Sequence, residues 1–105
     1  MIWREKIYYV YIMASISRVL YVGYTDSIIK RGFQHKTGFF ENAFTKKYRI
    51  NKLVYFETKN SKEMSLIREK QIKGLLRKKK IQMIEESNPN WEDLYKVIMS
   101  LYQVK

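Results

Sequence analysis

A chain of 105 residues without a cysteine fits a single domain, because a second would have too little surface to bury; disulfides and thiolate metal sites are excluded. A hydrophobic content of 46% with 15% aromatic residues rules against disorder, and no run reaches the roughly 20 apolar residues of a membrane span. The formal net charge of +11 favours polyanions, nucleic acid ahead of an anionic membrane surface.

The first residues, Met1-Ile2-Trp3-Arg4-Glu5, do not read as a signal peptide, and a reducing cytoplasm is the expected setting. Lys6 to Ala14 then reads as a strand, with Ile7, Tyr9, Tyr11 and Met13 on one face and Tyr8, Val10 and Ile12 on the other. Ser15-Ile16-Ser17 is a turn, and Arg18 to Tyr24 the returning strand. A three-residue loop at 15–17 sets Ala14 opposite Arg18 and Tyr11 opposite Tyr21, on one face. A two-residue loop would send Tyr21 to the other side.

Thr25, Asp26 and Ser27 are all good N-cap types for the helix that follows. On it Arg31 and His35 form an i, i+4 pair, while Ile29 and Phe33 lie on a stripe that can bury. Gly32 is a poor helix former, costing roughly 1 kcal/mol relative to Ala, which points to a close approach there. Lys36 to Arg49 reads as a loop with aromatic anchors, Phe39, Phe40 and Phe44, interleaved with Lys46 and Lys47. Such interleaving suits bases and phosphates, or pins a long loop to the domain.

Lys52 to Thr58 reads as a central strand, since Leu53, Val54, Tyr55 and Phe56 make both of its faces apolar. From an N-cap at Ser61 a helix is expected to about Arg77, with an apolar stripe of Met64, Ile67, Ile72, Leu75 and Leu76. Glu69 borders that stripe. A carboxylate there suits a hard cation, although such a Glu is more often simply solvated or paired with Lys73 at i, i+4. Arg77, Lys78 and Lys79, continued by Lys80 and joined by Lys73, make a phosphate track. Ser87-Asn88-Pro89-Asn90 breaks the chain before a last helix at about 91–103, which completes a single domain over 1–105 with its core at about 6–86.

The ordered set Tyr9-Val10-Tyr11, Tyr21-Val22-Gly23, Arg31, His35 and Glu69 resembles the GIY-YIG nuclease superfamily. The strings Tyr9 to Ile12, Phe44 to Tyr48, Arg68 to Gly74 and Asn88 to Trp91 are similar to its small stand-alone bacterial members. The resemblance implies an α/β (α+β) fold, a small three-stranded antiparallel sheet flanked by helices. It implies an endonuclease that hydrolyses DNA phosphodiesters with one Mg²⁺ or Mn²⁺, in repair or recombination. By position, Tyr11 and Tyr21 are its motif phenols, Gly23 its motif glycine, Arg31 its phosphate clamp, His35 a proton-transfer or orienting partner and Glu69 its metal ligand. Tyr9 stands where the first motif glycine is expected, which would crowd the site.

The chemistry suits these residue types. Arg31 offers a bidentate, permanently charged donor to non-bridging oxygens. A metal on Glu69 acts as a Lewis acid. A nearby cation and guanidinium favour phenolate, so Tyr11, Tyr21 or His35 can take the proton of the attacking water, with Tyr11 first among them. DNA is expected before RNA as the partner, bound also by Lys46, Lys47, Lys73, Arg77, Lys78 and Lys79. Two other readings fit the same residues: a non-catalytic nucleic-acid-binding module, and a protein-interaction adaptor using the last helix.

Overall fold

Strand β1 (Tyr8–Ala14) runs down the middle of a three-stranded antiparallel sheet, between β2 (Leu20–Thr25) and β3 (Lys52–Lys59). The computed structural model describes residues 6–37 and 46–102, leaving the expected anchors Phe39, Phe40 and Phe44 outside the described residues, together with the side chain of His35.

The hairpin turns one residue later than expected. Ser15 N donates to Val19 O at 3.0 Å, Arg18 N to Ser15 O at 2.9 Å and Val19 N to Ser15 Oγ at 2.9 Å. The loop is therefore 16–18, closed by Arg18 in the left-handed region at φ 67°. A type I turn ending on a left-handed residue is a common three-residue hairpin connection. Moving the loop by one residue moves every facing pair by two, so Ala14 faces Leu20 and Tyr11 faces Gly23, not Tyr21. A shift of two preserves parity. Tyr11 and Tyr21 therefore remain on one face.

The strand expected to be central, β3, is an edge. Its two apolar faces arise because helices cover both sides of the sheet. Its outer edge is met by the segment after Trp91: Leu94 N donates to Leu53 O at 2.7 Å, and Leu53 N to Asp93 Oδ1 at 3.2 Å. A bulge between Ile12 and Met13 lets Leu53 and Phe56 join the face that carries Tyr9 and Tyr11, while Val54 and Tyr55 join the other.

Helix α1 (Ile28–Thr37) starts on Ser27, whose carbonyl accepts from Arg31 N at 2.9 Å. It runs on through Lys36 and Thr37, where the residue pattern predicts a loop. Its inward stripe is Ile28 and Gly32, whereas Phe33, expected to bury, is 52% exposed. Helix α2 (Lys62–Lys73) is capped by Ser61, whose Oγ accepts from Met64 N at 3.1 Å, and stops at Gly74. Of the apolar stripe expected on it Ile72 is buried, and Met64 and Ile67 are more than half exposed. The inner stripe is Ser65, Arg68, Glu69 and Ile72 instead. Buried Ser65 donates back to Ser61 O and Lys62 O, and its small side chain lets the helix lie close to the sheet.

Helix α3 (Arg77–Ser87) begins on the basic run itself, and α4 (Tyr95–Tyr102) closes the described chain. One core lies between the Tyr9/Tyr11/Met13 face, α1 and α4; the other lies between the Val10/Ile12 face, α2, α3 and Trp91. Buried Asn88 ties the second core to the sheet, donating to Val54 O at 3.1 Å and Glu92 O at 2.8 Å. No described helix is long and apolar enough to cross a membrane.

Candidate active site

Tyr11 and Tyr21 are diagonal neighbours across β1 and β2, with ring centroids 6.4 Å apart and planes tilted by 43°. The residue opposite Tyr11 is Gly23, and a Cβ there would stand 2.6 Å from Tyr11 Oη and 3.2 Å from Tyr21 Cε2. The missing side chain is therefore the space through which the Tyr11 phenol crosses the edge strand. Tyr11 is buried and Tyr21 half-buried.

The phenol of Tyr11 is pushed well above its ordinary value. Burial is the chief cause; the Tyr21 phenol pushes the same way, the Arg31 guanidinium pulls down, and the Glu69 carboxylate raises it again. The guanidinium acts in the expected direction, but burial outweighs it, and within the polypeptide alone Tyr11 is a neutral hydrogen-bond donor rather than a phenolate. Arg31 of α1 and Glu69 of α2 thus both act electrostatically on the Tyr11 phenol, although they are far from it in sequence. His35 sits one turn beyond Arg31 on α1, and its side chain is outside the described residues.

Glu69 keeps 16% of its side chain exposed, and its Oε2 lies 3.5 Å from Lys73 Nζ, the i, i+4 pair the sequence allowed. The neighbouring Arg68 turns the other way: its Nε donates to Glu57 Oε1 at 2.9 Å and an Nη to Glu57 Oε2 at 3.2 Å. That bidentate pair clamps α2 to β3 and sets the face on which Glu69 emerges.

Among the described residues there is no group of three or more His, Cys, Asp or Glu placed to hold a metal ion. A lone, mostly shielded carboxylate still fits a hard cation of the magnesium type, which keeps several waters and takes one or two carboxylates plus substrate oxygens. The Lys73 contact is half exposed and weak, of order 0.5 kcal/mol for such a pair, so it is no barrier to a divalent ion.

The cations expected to bind nucleic acid are exposed. Lys73 stands beside Glu69. Arg77, Lys78 and Lys79 occupy the first turn of α3, where there is no acidic residue and no side-chain cap on Leu76. Arg77 also donates to Arg18 O at 2.7 Å, tying the hairpin to α3. Lys46 and Lys47 precede β3, with Lys47 Nζ 5.3 Å from the Tyr48 ring centroid.

Two hollows adjoin α1. The larger, about 800 Å³, is lined largely by apolar side chains such as Ile7, Ile28, Phe33 and Met99 and includes neither Tyr11, Tyr21, Arg31 nor Glu69. The smaller, about 380 Å³, includes Arg31 with Lys6, Tyr8, Tyr24 and Lys62. Sequence reasoning missed this second cleft, the Arg68–Glu57 clamp and the fit of Tyr95 against Gly32. Only Gly32 carried a signal, as a costly residue in mid-helix.

A model of the GIY-YIG catalytic domain matches residues 7–82. The chain belongs to the GIY-YIG family. This places it in a nuclease family, and the tripeptides Tyr9-Val10-Tyr11 and Tyr21-Val22-Gly23 lie within the matched residues. A UPF0213 protein of Syntrophus aciditrophicus (strain SB) is 39% identical over 79 residues, 75% of this chain and 91% of that protein. A UPF0213 protein of Staphylococcus haemolyticus is 40% identical over 80 residues, with 75% and 95% covered. The solution NMR structure of a UPF0213 protein from Bacillus halodurans superposes with a TM-score of 0.51 at 26% identity, over 87% of this chain and 96% of that one. Within this GIY-YIG fold Tyr9, in the place of the first motif glycine, packs against Phe56 at 6.1 Å between ring centroids, on the β3 side of the face rather than at the β2 edge.

Proposed function

We propose that the protein is a divalent-metal-dependent endonuclease that hydrolyses phosphodiesters in DNA at the β2 edge. The observation that carries this reading is the pairing of the Tyr11 and Tyr21 rings over Gly23, with the charges of Arg31 and Glu69 acting on the Tyr11 phenol from two further elements. A buried phenol beside a guanidinium and a shielded carboxylate is the donor set that hydrolysis of a phosphodiester requires: charge for the non-bridging oxygens, a donor for a phosphoryl oxygen and an anchor for a cation.

Arg31 neutralises the phosphoryl oxygens with a fixed fork of donors. Tyr11, held protonated by burial, donates to an oxygen of the phosphate and fixes its orientation. Tyr21, nearer solvent, is the proton acceptor for the attacking water, with His35, one turn beyond Arg31 on α1, the alternative that the sequence offers. Mg²⁺ or Mn²⁺ held by Glu69 would supply Lewis-acid charge at the leaving oxygen and cancel the carboxylate that raises the Tyr11 phenol. The basic first turn of α3 supports DNA binding. Cations there oppose the helix dipole, at a cost of roughly 0.3–1 kcal/mol for each such charge, and a polyanion relieves that opposition.

The test is cleavage of labelled plasmid, single strands and branched duplexes with Mg²⁺ or Mn²⁺. Arg31→Ala and Glu69→Ala should each abolish cutting with the fold retained. Wild-type rates in both would discard the site, and salt-sensitive binding without products would leave a nucleic-acid-binding module.

A further inference from the structure

The smaller cleft beside Arg31 has a different chemistry from the tyrosine cluster. Tyr8 and Tyr24 lie on the opposite face of the hairpin from Tyr11, because Tyr24 faces Val10 across the ladder and Tyr8 is two residues before Val10. With Thr25 they line the cleft, together with three cationic residues, Lys6, Arg31 and Lys62, and one acidic residue, Asp26. Asp26 is already engaged, 3.1 Å from Lys6 Nζ. That pairing accounts for Lys6 and the carboxylate, and Arg31 and Lys62 are the other two positive groups of the cleft.

Lys62 is the more telling of the two. It is the first residue of α2, where the helix dipole disfavours a cation. It is exposed, and no described carboxylate forms an ion pair with it. Nothing in the packing calls for a lysine there. A divalent cation does not fit, since the single carboxylate is spoken for and three positive groups surround the space. An anion does fit, and Arg31, whose charge also acts on the Tyr11 phenol, lines this cleft.

The geometry points to a second phosphate subsite, in which Lys62, with Tyr8 and Tyr24 as lateral donors, holds the phosphodiester adjoining the scissile one while Arg31 spans both. This rests on the nuclease reading, and it fixes the direction of the bound strand: from the β2 edge past Arg31 to the start of α2. Lys62 is thus a substrate-positioning residue that makes no contact with the reacting atoms.

The experiment measures binding of a fluorescein-labelled DNA oligonucleotide at several salt concentrations, in EDTA so that no cutting occurs. Lys62→Ala should weaken binding several-fold and reduce the slope of log affinity against log salt by about one phosphate contact, while Lys62→Arg should restore both. In Mg²⁺ the alanine variant should raise KM with kcat near wild type. A neutral methylphosphonate one linkage from the mapped cut should weaken wild-type binding similarly, and then make Lys62→Ala cost nothing more. Unchanged slope and affinity in Lys62→Ala, or full additivity of the two changes, would overturn the subsite while leaving the nuclease reading intact. A wild-type protein that binds no nucleic acid at low salt would overturn both.

Discussion

The Tyr11 hydroxyl lies over Gly23, 2.6 Å from where a Cβ would be. The nearest atoms to that position are the phenol oxygen and Cζ of a buried ring, so the side chain must shift bodily rather than bend at its tip. Gly23→Ala is expected to cost about 1–3 kcal/mol of stability through overpacking. It should lower cleavage far more than stability alone explains, by about 100-fold for a displacement near 1 Å. Thermal unfolding and single-turnover cleavage of one variant check both figures; an unchanged cleavage rate would show that the phenol's position does not matter.

Gly32 and Tyr95 make the equivalent contact behind α1. A Cβ on Gly32 would come within 2.3 Å of two carbons of the Tyr95 ring, whose hydroxyl donates to Ile29 O at 3.1 Å. The helix that carries Arg31 is thereby seated on α4. Gly32→Ala gains roughly 1 kcal/mol of helix propensity but should lose more to the clash. In a double-mutant cycle with Tyr95→Ala, denaturant unfolding should give an interaction energy of at least about 1 kcal/mol. Simple additivity would mean that α1 and α4 relax apart freely.

The Arg68–Glu57 clamp gives a pH signature. Burial pushes the Glu57 carboxyl up, but hydrogen bonds from Arg68, Tyr55 and Lys59, with the charge of Arg68, outweigh it and bring the group down to about 2. A carboxyl depressed in the folded state contributes stability above its unfolded value near 4.3, and loses it as the pH falls through the folded value. Arg68→Ala should therefore cost of order 2 kcal/mol at pH 7, with the gap to wild type closing between about pH 4.5 and 2. Arg68→Lys should restore only part, for want of the planar fork that meets both oxygens. Urea unfolding across that range checks it; a gap independent of pH would remove Glu57 as the partner.

What the sequence made legible follows from which signals survive small errors. Parity survived the misplaced hairpin loop, because a register error of two residues leaves Tyr11 and Tyr21 on one face. The apolar stripe of α2 did not. Its inner face uses a back-bonded Ser65 and an ion-paired Arg68 where periodicity looked for Met64 and Ile67, and a salt bridge to a distant strand leaves no local trace. For β3, two apolar faces report burial on both sides of a sheet and say nothing about which strand lies between the others. Tyr8, Tyr24 and Lys62 are common residue types at unremarkable spacings, and only their three-dimensional meeting at Arg31 singles them out.

The central claim is that Glu69 holds a cation beside the Tyr11 and Tyr21 phenols, and paramagnetic relaxation by Mn²⁺ tests it without requiring any turnover. In amide NMR spectra, substoichiometric Mn²⁺ should broaden Glu69 together with residues 21–24 of β2, and Glu69→Gln should abolish that pattern while leaving the rest of the spectrum in place. Broadening centred on other carboxylates such as Glu85 or Asp93, or an unchanged pattern in Glu69→Gln, would contradict it.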